Sequence, residues 1–255
     1  MKYNSLELMI VVAARNLEDG AVVVVGTGAP CAAAMLAQRT CSPNLIIMFE
    51  AGGVGPLLPV MPISVGDSRT TYKGIMATTM TEIIELCQAG YVDYCFLGGA
   101  QIDRFGNLNS TLIGEYSKPK VRFPGSGGAN DLASLCWRTM IITLQTKRRF
   151  TKKLDFCTTP GFFKGGDSRE KTGLPPGTGP YRVITNIGVY GFSKKTKKMM
   201  LLSLHPCCSL QDIKVNTDFE IIIPDQYEST TEPTETELKI LRQEVDPEKY
   251  IIGRE

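Results

Sequence analysis

The chain has little histidine, no long apolar run and no excess of either charge, and each shortage excludes a class of function. It holds a single histidine, His205, so a histidine-based catalytic triad or a multi-histidine metal centre would need groups from a second chain. Its uninterrupted apolar runs are too short to cross a bilayer, which predicts a soluble protein without a membrane partner. The 28 lysines and arginines nearly balance the 26 aspartates and glutamates, so the overall charge does not call for nucleic acid.

The eight cysteines are scattered, without a C-x-x-C pair or a repeated spacing. This pattern speaks against a zinc site or a disulfide framework, and reduced thiols predict a cytoplasmic protein. The vicinal pair Cys207 and Cys208 is either a redox or metal device or two plain thiols, and the strain of a disulfide between neighbours favours plain thiols. The first 20 residues have apolar side chains at helical spacing, which predicts an amphipathic helix of the mature protein rather than a leader.

The first half of the chain alternates helix-like and strand-like patterns. Helices are predicted near 5–17, 30–38 and 80–90, and strands at 21–26, 45–50 and 94–99. Such alternation is typical of an open, largely parallel sheet with helices on its faces. The "GTGAP" stretch resembles the start of a dinucleotide fingerprint, but Cys31 stands where the third glycine belongs, so we expect only a tight strand-to-helix turn.

The second half contains a long polar stretch and several short strand-like runs. Residues 98–131 are rich in Gly, Asn, Ser and Thr with interspersed apolar residues, which predicts an ordered region that builds a site. Further on we expect a helix near 130–136, strands at 140–144, 181–185, 188–192, 199–203 and 220–223, and a lysine-bearing hairpin turn within 192–200. Thr234 and Glu237 have capping-box spacing, so we expect a single domain over 1–255 with a helical tail from about 234.

The stretch "LIIMFEAGGVGP" (45–56) ends a buried strand in a carboxylate and then a glycine-rich turn. Strand ends of this kind lie at the edge of a parallel sheet where ligands usually bind, so Glu50 is a candidate catalytic residue. The alternative is a strand-end glutamate that faces water or pairs with an arginine. Gly127 and Gly128 precede a helical segment, where backbone N–H groups can meet an anion or a developing oxyanion, unless they form a mere tight turn.

Three pieces in this order, "FEAGG" (49–53), "LGGAQIDRFGNLNST" (97–111) and "GSGGAND" (125–131), resemble the β-type subunit of family I CoA-transferases. The resemblance is nearest to the B subunit of glutaconate CoA-transferase and extends to "KRRF" (147–150) and "TTPGF" (158–162). It implies an open α/β fold of the family I CoA-transferase (NagB/RpiA-like) type and a separately encoded α-type partner, in a heterotetramer with two copies of each chain. It also implies a coenzyme A thioester as substrate, with no permanently bound cofactor.

The resemblance also assigns roles to residues. Glu50 corresponds to the glutamate that attacks the acyl-CoA and carries CoA as a thioester. The backbone N–H of Gly128 corresponds to the oxyanion donor, and Ser126, Gly127 and Ala129 shape the approach of the thioester. Gln101, Asn107 and Asn109 are candidates for orienting the carboxylate, and each equally fits a role in satisfying loop backbone. No metal ligands are implied.

Other features leave the substrate and the exact chemistry open. Phe49 and Ala51 stand where many relatives have polar residues, which predicts an apolar acyl group rather than a short dicarboxylate. Basic groups at 118–122 and 147–149 either meet CoA phosphates or serve as solvated or interface residues. The competing hypotheses are a CoA-thioester C–C hydrolase or acyl-CoA decarboxylase on the same fold, which lack the strand-end glutamate, and a ligand-sensing module.

Overall fold

The computed structural model describes residues 2–253. They form two compact units, one made of the residues up to 96 together with those from 232 onward, and one made of residues 97–231. The expectation of a single domain over the whole chain stays a prediction. Among residues 2–253, no helix combines the length and the apolar character that a bilayer crossing needs.

The first unit is a sheet with helices packed on it. Its elements are α1 (Ser5–Arg15), β1 (Val22–Val25), α2 (Ala29–Arg39), β2 (Ile46–Phe49), β3 (Gly53–Val54), a 3₁₀ turn (Ser68–Thr71), β4 (Met76–Ala77), α3 (Met80–Gln88), β5 (Tyr94–Leu97), α7 (Glu235–Ile240) and a π-helical turn (Leu241–Val245). The strand order is β5-β1-β2-β3-β4, with β1 parallel to both β5 and β2 and with β3 and β4 antiparallel.

Local sequence explains these elements. The "VVVV" of β1 is β-branched throughout, and three of its four residues are buried. Helix α2 is buried continuously from Cys31 to Ala37, which its small side chains allow. Capping boxes begin α1 at Asn4, α3 at Thr79 and α7 at Thr234, the last as its sequence spacing predicts.

The second unit has its own strands and two small hairpins. Its elements are β6 (Gln101–Ile102), β7 (Leu108–Asn109), β8 (Leu112–Glu115), β9 (Lys118–Arg122), α4 (Ala129–Leu135), β10 (Arg138–Ile142), α5 (Ser168–Lys171), β11 (Gly179–Ile184), β12 (Gly188–Phe192), β13 (Met199–Leu204), α6 (Leu210–Val215) and β14 (Glu228–Ser229). The order is β14-β13-β12-β11-β10, and β6–β7 and β8–β9 pair separately.

The open α/β sheet with flanking helices that the sequence predicts is confirmed. The lysine-rich turn is also confirmed, because β12 and β13 pair antiparallel on either side of residues 193–198. The prediction of a strand at 220–223 is wrong. Ile222 makes only an isolated bridge to Met200, because the backbone hydrogen bonds of this segment to β13 are confined to Ile222.

Candidate active site

Glu50 lies in a tight turn at the carboxyl end of β2. The amide of Gly52 donates to the carbonyl of Phe49 over 2.9 Å, so Glu50 and Ala51 are the two central residues of a β-turn. The chain then returns as β3, with Val54 opposite Met48. Phe49 is fully buried and Ala51 is exposed, and Glu50 between them is half-buried. The backbone therefore passes from the core at Phe49 to the surface at Ala51, and Glu50 lies between the two.

Two glycines hold this turn against the backbone of neighbouring segments. Gly52 has φ +120°, and a Cβ there would lie 1.9 Å from the carbonyl oxygen of Thr78. A Cβ on Gly53 would lie 1.9 Å from the carbonyl oxygen of Thr70. The carbonyl of Gly52 in turn accepts a hydrogen bond of 2.9 Å from the amide of Thr78. Only glycine fits at either position, and the close contacts fix the backbone that supports Glu50.

The first unit contains a cavity at the end of β1. Val25 pairs with Phe49, so the residues that follow β1 lie next to the turn. There Gly28, at φ +92°, begins α2, which is the tight strand-to-helix turn that the sequence predicts. A cavity of about 420 Å³ opens at this edge, and its lining residues are Thr27, Gly28, Met61, Pro62, Ile63, Tyr250 and Ile251.

The glycine-rich loop forms a compact turn at the start of α4. The amide of Ala129 donates to the carbonyl of Ser126 over 2.9 Å, and the Ser126 hydroxyl accepts from the amide of Asn130. Gly127 is exposed with φ +50°, whereas Gly128 is buried and precedes the first residue of the helix. The four predicted residues therefore share one turn, in the second unit, while Glu50 belongs to the first.

Gln101 and Asn109 form one buried amide pair. Asn109 donates to the side-chain oxygen of Gln101 over 2.7 Å and to the carbonyl of Leu112 over 2.7 Å. Its own oxygen accepts from the amides of Thr111 and Leu112. Gln101 donates to Asp155, whose backbone amide donates back to Gln101. Both donor hydrogens of Asn109 are thus used inside the loop.

Asn107 lies in a second cluster. It donates to Asp103 over 2.7 Å and to the carbonyl of Phe163 over 2.9 Å, and its oxygen accepts from the amides of Gly161 and Phe163. Burial raises the pKa of Asp103 against these hydrogen bonds, which favour the charged form. These hydrogen bonds favour a structural role for Gln101, Asn107 and Asn109 over a role in orienting the carboxylate of Glu50. Their partners Asp155, Gly161 and Phe163 are far away in sequence, and no local pattern reveals them.

The other groups that the sequence singles out are used structurally. The Nε2–H of His205 donates to the carbonyl of Thr185 over 2.7 Å, so Nδ1 accepts from the hydroxyl of Thr230. Burial lowers the pKa of His205 and keeps it neutral. All eight cysteines are free thiols. Between residues 2 and 253, no three His, Cys, Asp or Glu side chains gather in a way suited to a metal ion.

The basic loop at 147–149 separates into two kinds of residue. Arg149 donates to the carbonyl of Gly99 over 3.2 Å and lies 3.4 Å from the hydroxyl of Thr143. Lys147 and Arg148 are exposed. Only these two of the three present their charges to solvent, so Arg149 belongs to the loop's own framework.

Comparison with known proteins places this geometry in a family. The family model described as coenzyme A transferase matches residues 6–216. The B subunit of the 3-oxoadipate CoA-transferase of Pseudomonas knackmussii is 41% identical over 241 residues, covering 94% of this chain and 92% of that protein. The B subunit of the glutaconate CoA-transferase of Acidaminococcus fermentans is 38% identical over 255 residues, covering 98% and 95%. The chain belongs to the coenzyme A transferase family.

A solved structure supports the same assignment. The crystal structure of glutaconate coenzyme A-transferase from Acidaminococcus fermentans matches with a TM-score of 0.93 at 36% identity, and the match covers 98% of each chain. The fold predicted from the motifs, that of a family I CoA-transferase, is thereby confirmed. Proteins named for other reactions match less closely, at 29% identity over 59% of this chain for a cholesterol ring-cleaving hydrolase component of Mycobacterium tuberculosis.

Proposed function

We propose that the chain is the β-type component of an acyl-CoA:carboxylate CoA-transferase that works through a glutamyl-CoA thioester on Glu50. The observation that carries the proposal is the position of Glu50, a half-buried carboxylate on a turn locked by two glycines at the carboxyl end of a buried strand. Family membership over most of the chain supplies the chemistry that such a carboxylate serves.

The chemistry needs a carboxylate nucleophile. A carboxylate oxygen of Glu50 attacks the thioester carbonyl, the C–S bond breaks, and CoA leaves as a thiolate while the acyl group and Glu50 remain joined as a mixed anhydride. The thiolate attacks the glutamyl carbonyl of that anhydride, which releases the donor acid as a carboxylate and leaves CoA on Glu50. The acceptor carboxylate then attacks the glutamyl thioester, and the same steps run in reverse to release the new acyl-CoA.

The glycine-rich turn at 126–129 is proposed to supply groups for the thioester. In this proposal the backbone N–H of Gly128 donates to the oxyanion that develops during attack, since an aligned backbone donor costs no reorganisation. Ser126, Gly127 and Ala129 form the same turn and bound the approach to it. Gln101, Asn107 and Asn109 hold the surrounding loops through their hydrogen bonds.

The acid that accepts CoA is proposed to be a dicarboxylate. Two relatives that match more than nine-tenths of this chain are named for 3-oxoadipate and glutaconate, which both carry two carboxyl groups. The sequence favours an apolar acyl group partly because of Phe49, but the side chain of Phe49 is fully buried and faces the core. Only Ala51 and the cavity lining remain as support for the apolar alternative.

The partner is proposed to be an α-type subunit in an α₂β₂ assembly. The relatives are B subunits according to their names, which implies an α partner. The first unit also exposes apolar side chains along residues 57–80, namely Leu57, Ile63, Val65, Tyr72, Ile75, Met76 and Met80. An exposed apolar surface of this kind is typical of a subunit interface.

The test is transfer by the reconstituted complex. The chain, co-expressed with its α-type partner, is assayed with several acyl-CoA donors against glutaconate, 3-oxoadipate, phenylacetate and isovalerate. We expect one new acyl-CoA for each donor consumed, with a preference for the diacids, and no activity from the chain alone. Hydrolysis or decarboxylation without a new thioester would instead establish the hydrolase or decarboxylase alternative, and full activity of the single chain would refute the α₂β₂ proposal.

A further inference from the structure

The second unit contains a cavity at the amino ends of β10 and β11. The two strands run parallel with Arg138 opposite Gly179, and the amide of Gly179 donates to the carbonyl of Trp137 over 3.2 Å. The volume of the cavity is about 140 Å³. Among the described residues 2–253, its lining includes neither Glu50 nor the turn at 126–129. The proposed function therefore gives this cavity no role.

Three aromatic side chains line this cavity. Phe162 is buried, Tyr181 is half-buried and Trp137 is 42% exposed. Gly179 keeps the space open, because a Cβ there would lie 3.0 Å from the ring of Phe162 and 3.2 Å from the Arg169 side chain. An apolar cavity of about 150 Å³ holds a molecule the size of benzene. The space is therefore large enough for one aromatic ring.

Cations stand on the aromatic rings of the lining. The ammonium of Lys197 lies 5.0 Å from the centre of the Phe162 ring. The guanidinium of Arg138 lies 5.4 Å from the centre of the Tyr181 ring. The face of an aromatic ring attracts a cation through its quadrupole and does not cancel the charge. These contacts hold two positive charges at the cavity.

Arg169 adds a buried positive charge to the lining. It is 2% exposed, and its guanidinium donates to the carbonyls of Gly161 and Ala133 over 3.1 and 2.7 Å and to the hydroxyl of Thr178 over 3.0 Å. These acceptors are neutral groups, so they hold the guanidinium without removing its charge. The lining also contains the exposed carboxylate of Glu170. Three cations thus line the cavity with one acidic group.

We propose that this cavity binds a small aromatic carboxylate, with its ring against the aromatic side chains and its carboxylate at Lys197 and Arg138. Binding sites combine apolar walls with a few charged groups that fix the orientation of the ligand. Ammonium and guanidinium groups form charge-assisted hydrogen bonds to a carboxylate, and a ligand ring packs on aromatic side chains in stacked or edge-to-face geometry. The inference goes beyond the proposed function and does not depend on it.

The experiment uses the fluorescence of Trp137, which is the one tryptophan of the chain and therefore reports on the cavity. The full chain is titrated with benzoate, with benzamide, which has the ring without the charge, and with acetate, which has the charge without the ring. Calorimetry repeats the titrations in the reconstituted α/β complex. The test variant is Lys197→Gln. The matched control is Lys195→Gln, which changes an exposed lysine in the same turn between β12 and β13.

We expect benzoate to change the Trp137 fluorescence along a saturable curve with a Kd below about 1 mM. Benzamide and acetate bind at least about tenfold more weakly, because each lacks one of the two kinds of contact. Lys197→Gln weakens benzoate binding about tenfold, since a charge-assisted hydrogen bond is lost, and leaves benzamide binding unchanged. Lys195→Gln keeps the wild-type Kd for both. Arg138→Gln weakens benzoate binding in the same way as Lys197→Gln.

Four results would overturn the inference. They are the absence of a saturable response to benzoate, equal binding of benzoate and either of the other two ligands, an equal loss in both lysine variants, and loss of benzoate binding when the α-type partner joins the chain. The last result would make the cavity part of a subunit interface.

Discussion

The turn that carries Glu50 and the loop that carries Gln101 and Asn109 both place polar side chains near strand ends, but they use them differently. Asn109 is fully buried and uses both donor hydrogens and its acceptor inside the loop. Glu50 is half-buried, and the close contacts of its turn are made by the backbone of Gly52 and Gly53. A buried polar group whose bonds are all internal stabilises the fold, whereas one raised towards the surface on a rigid turn can meet a substrate.

Replacing Glu50 by Gln is expected to have the largest effect on activity. The change keeps the size of the side chain and removes the nucleophilic oxygen, so CoA exchange falls by roughly four to six orders of magnitude, as for the loss of other nucleophiles. The free energy of unfolding changes far less than the activity does, since glutamine keeps the size of the side chain. Exchange assays and urea denaturation measure the two quantities.

Two further variants sharpen that result. Glu85→Gln, at an exposed position of α3, serves as the control and keeps full exchange. Glu50→Asp shortens the side chain by one methylene, so transfer is impaired and slow hydrolysis of the thioester by water becomes detectable. Near-normal exchange in Glu50→Gln would remove the carboxylate from the mechanism.

Gly52→Ala and Gly53→Ala are expected to have the largest effect on stability. Each new Cβ would lie 1.9 Å from a backbone oxygen, so the segments at Thr70 and Thr78 must move. A loss of about 4 kcal/mol or more in the free energy of unfolding follows, with the loss of transfer activity. In Gly66→Ala the nearest atom is the Ser64 hydroxyl at 4.0 Å, and this control is expected to be neutral. Equal stability of all three variants would show that the turn is not locked.

Asn109→Ala tests the other side of the comparison. It removes a buried amide and leaves the carbonyl of Leu112 and the oxygen of Gln101 without this donor, which costs about 3 kcal/mol of stability. The folded protein keeps a kcat within a few-fold of wild type. Gln88→Ala, at the exposed end of α3, controls for the loss of an amide at a solvated position. A large fall in kcat with unchanged stability would instead make Asn109 an orienting residue for the carboxylate.

The ion pair between Glu7 and Arg242 is expected to give the smallest effect. Burial by itself raises the pKa of Glu7, but the hydrogen bonds from Arg242 and Asn4 outweigh burial and lower the pKa below its ordinary value. Arg242→Ala is expected to lose about 2 kcal/mol at pH 7.

The sign of the pH dependence follows from that lowered pKa. A carboxyl with a depressed pKa in the folded state stabilises the protein above its unfolded pKa, and this contribution is lost as the pH falls through the folded pKa. The difference between wild type and Arg242→Ala therefore shrinks in acid, which urea midpoints at neutral and acidic pH measure. A difference that grows in acid would contradict the assignment.

Local sequence patterns predict much of the fold but only part of the candidate site. The apolar periodicity of α1, the β-branched run of β1 and the glycine at the start of α2 each predict what is observed, because each depends on neighbouring residues. The return strand β3 and its partner β4 are too short to give a periodic signal. Gln101 binds Asp155 and Asn107 binds Gly161, and both partners come from distant segments of the chain. Sequence patterns therefore indicate polar loops without showing which amides form hydrogen bonds inside the fold.

The most direct test of the central claim is a search for CoA on Glu50. The reconstituted complex is incubated with acyl-CoA in the absence of an acceptor acid, digested and examined by mass spectrometry, with a parallel sample reduced by borohydride. The account predicts CoA attached as a thioester to the peptide that contains Glu50, conversion of that glutamyl group to an alcohol by borohydride, and no adduct in Glu50→Gln. An active complex that carries no adduct on this peptide, or carries it on another carboxylate, would contradict the account.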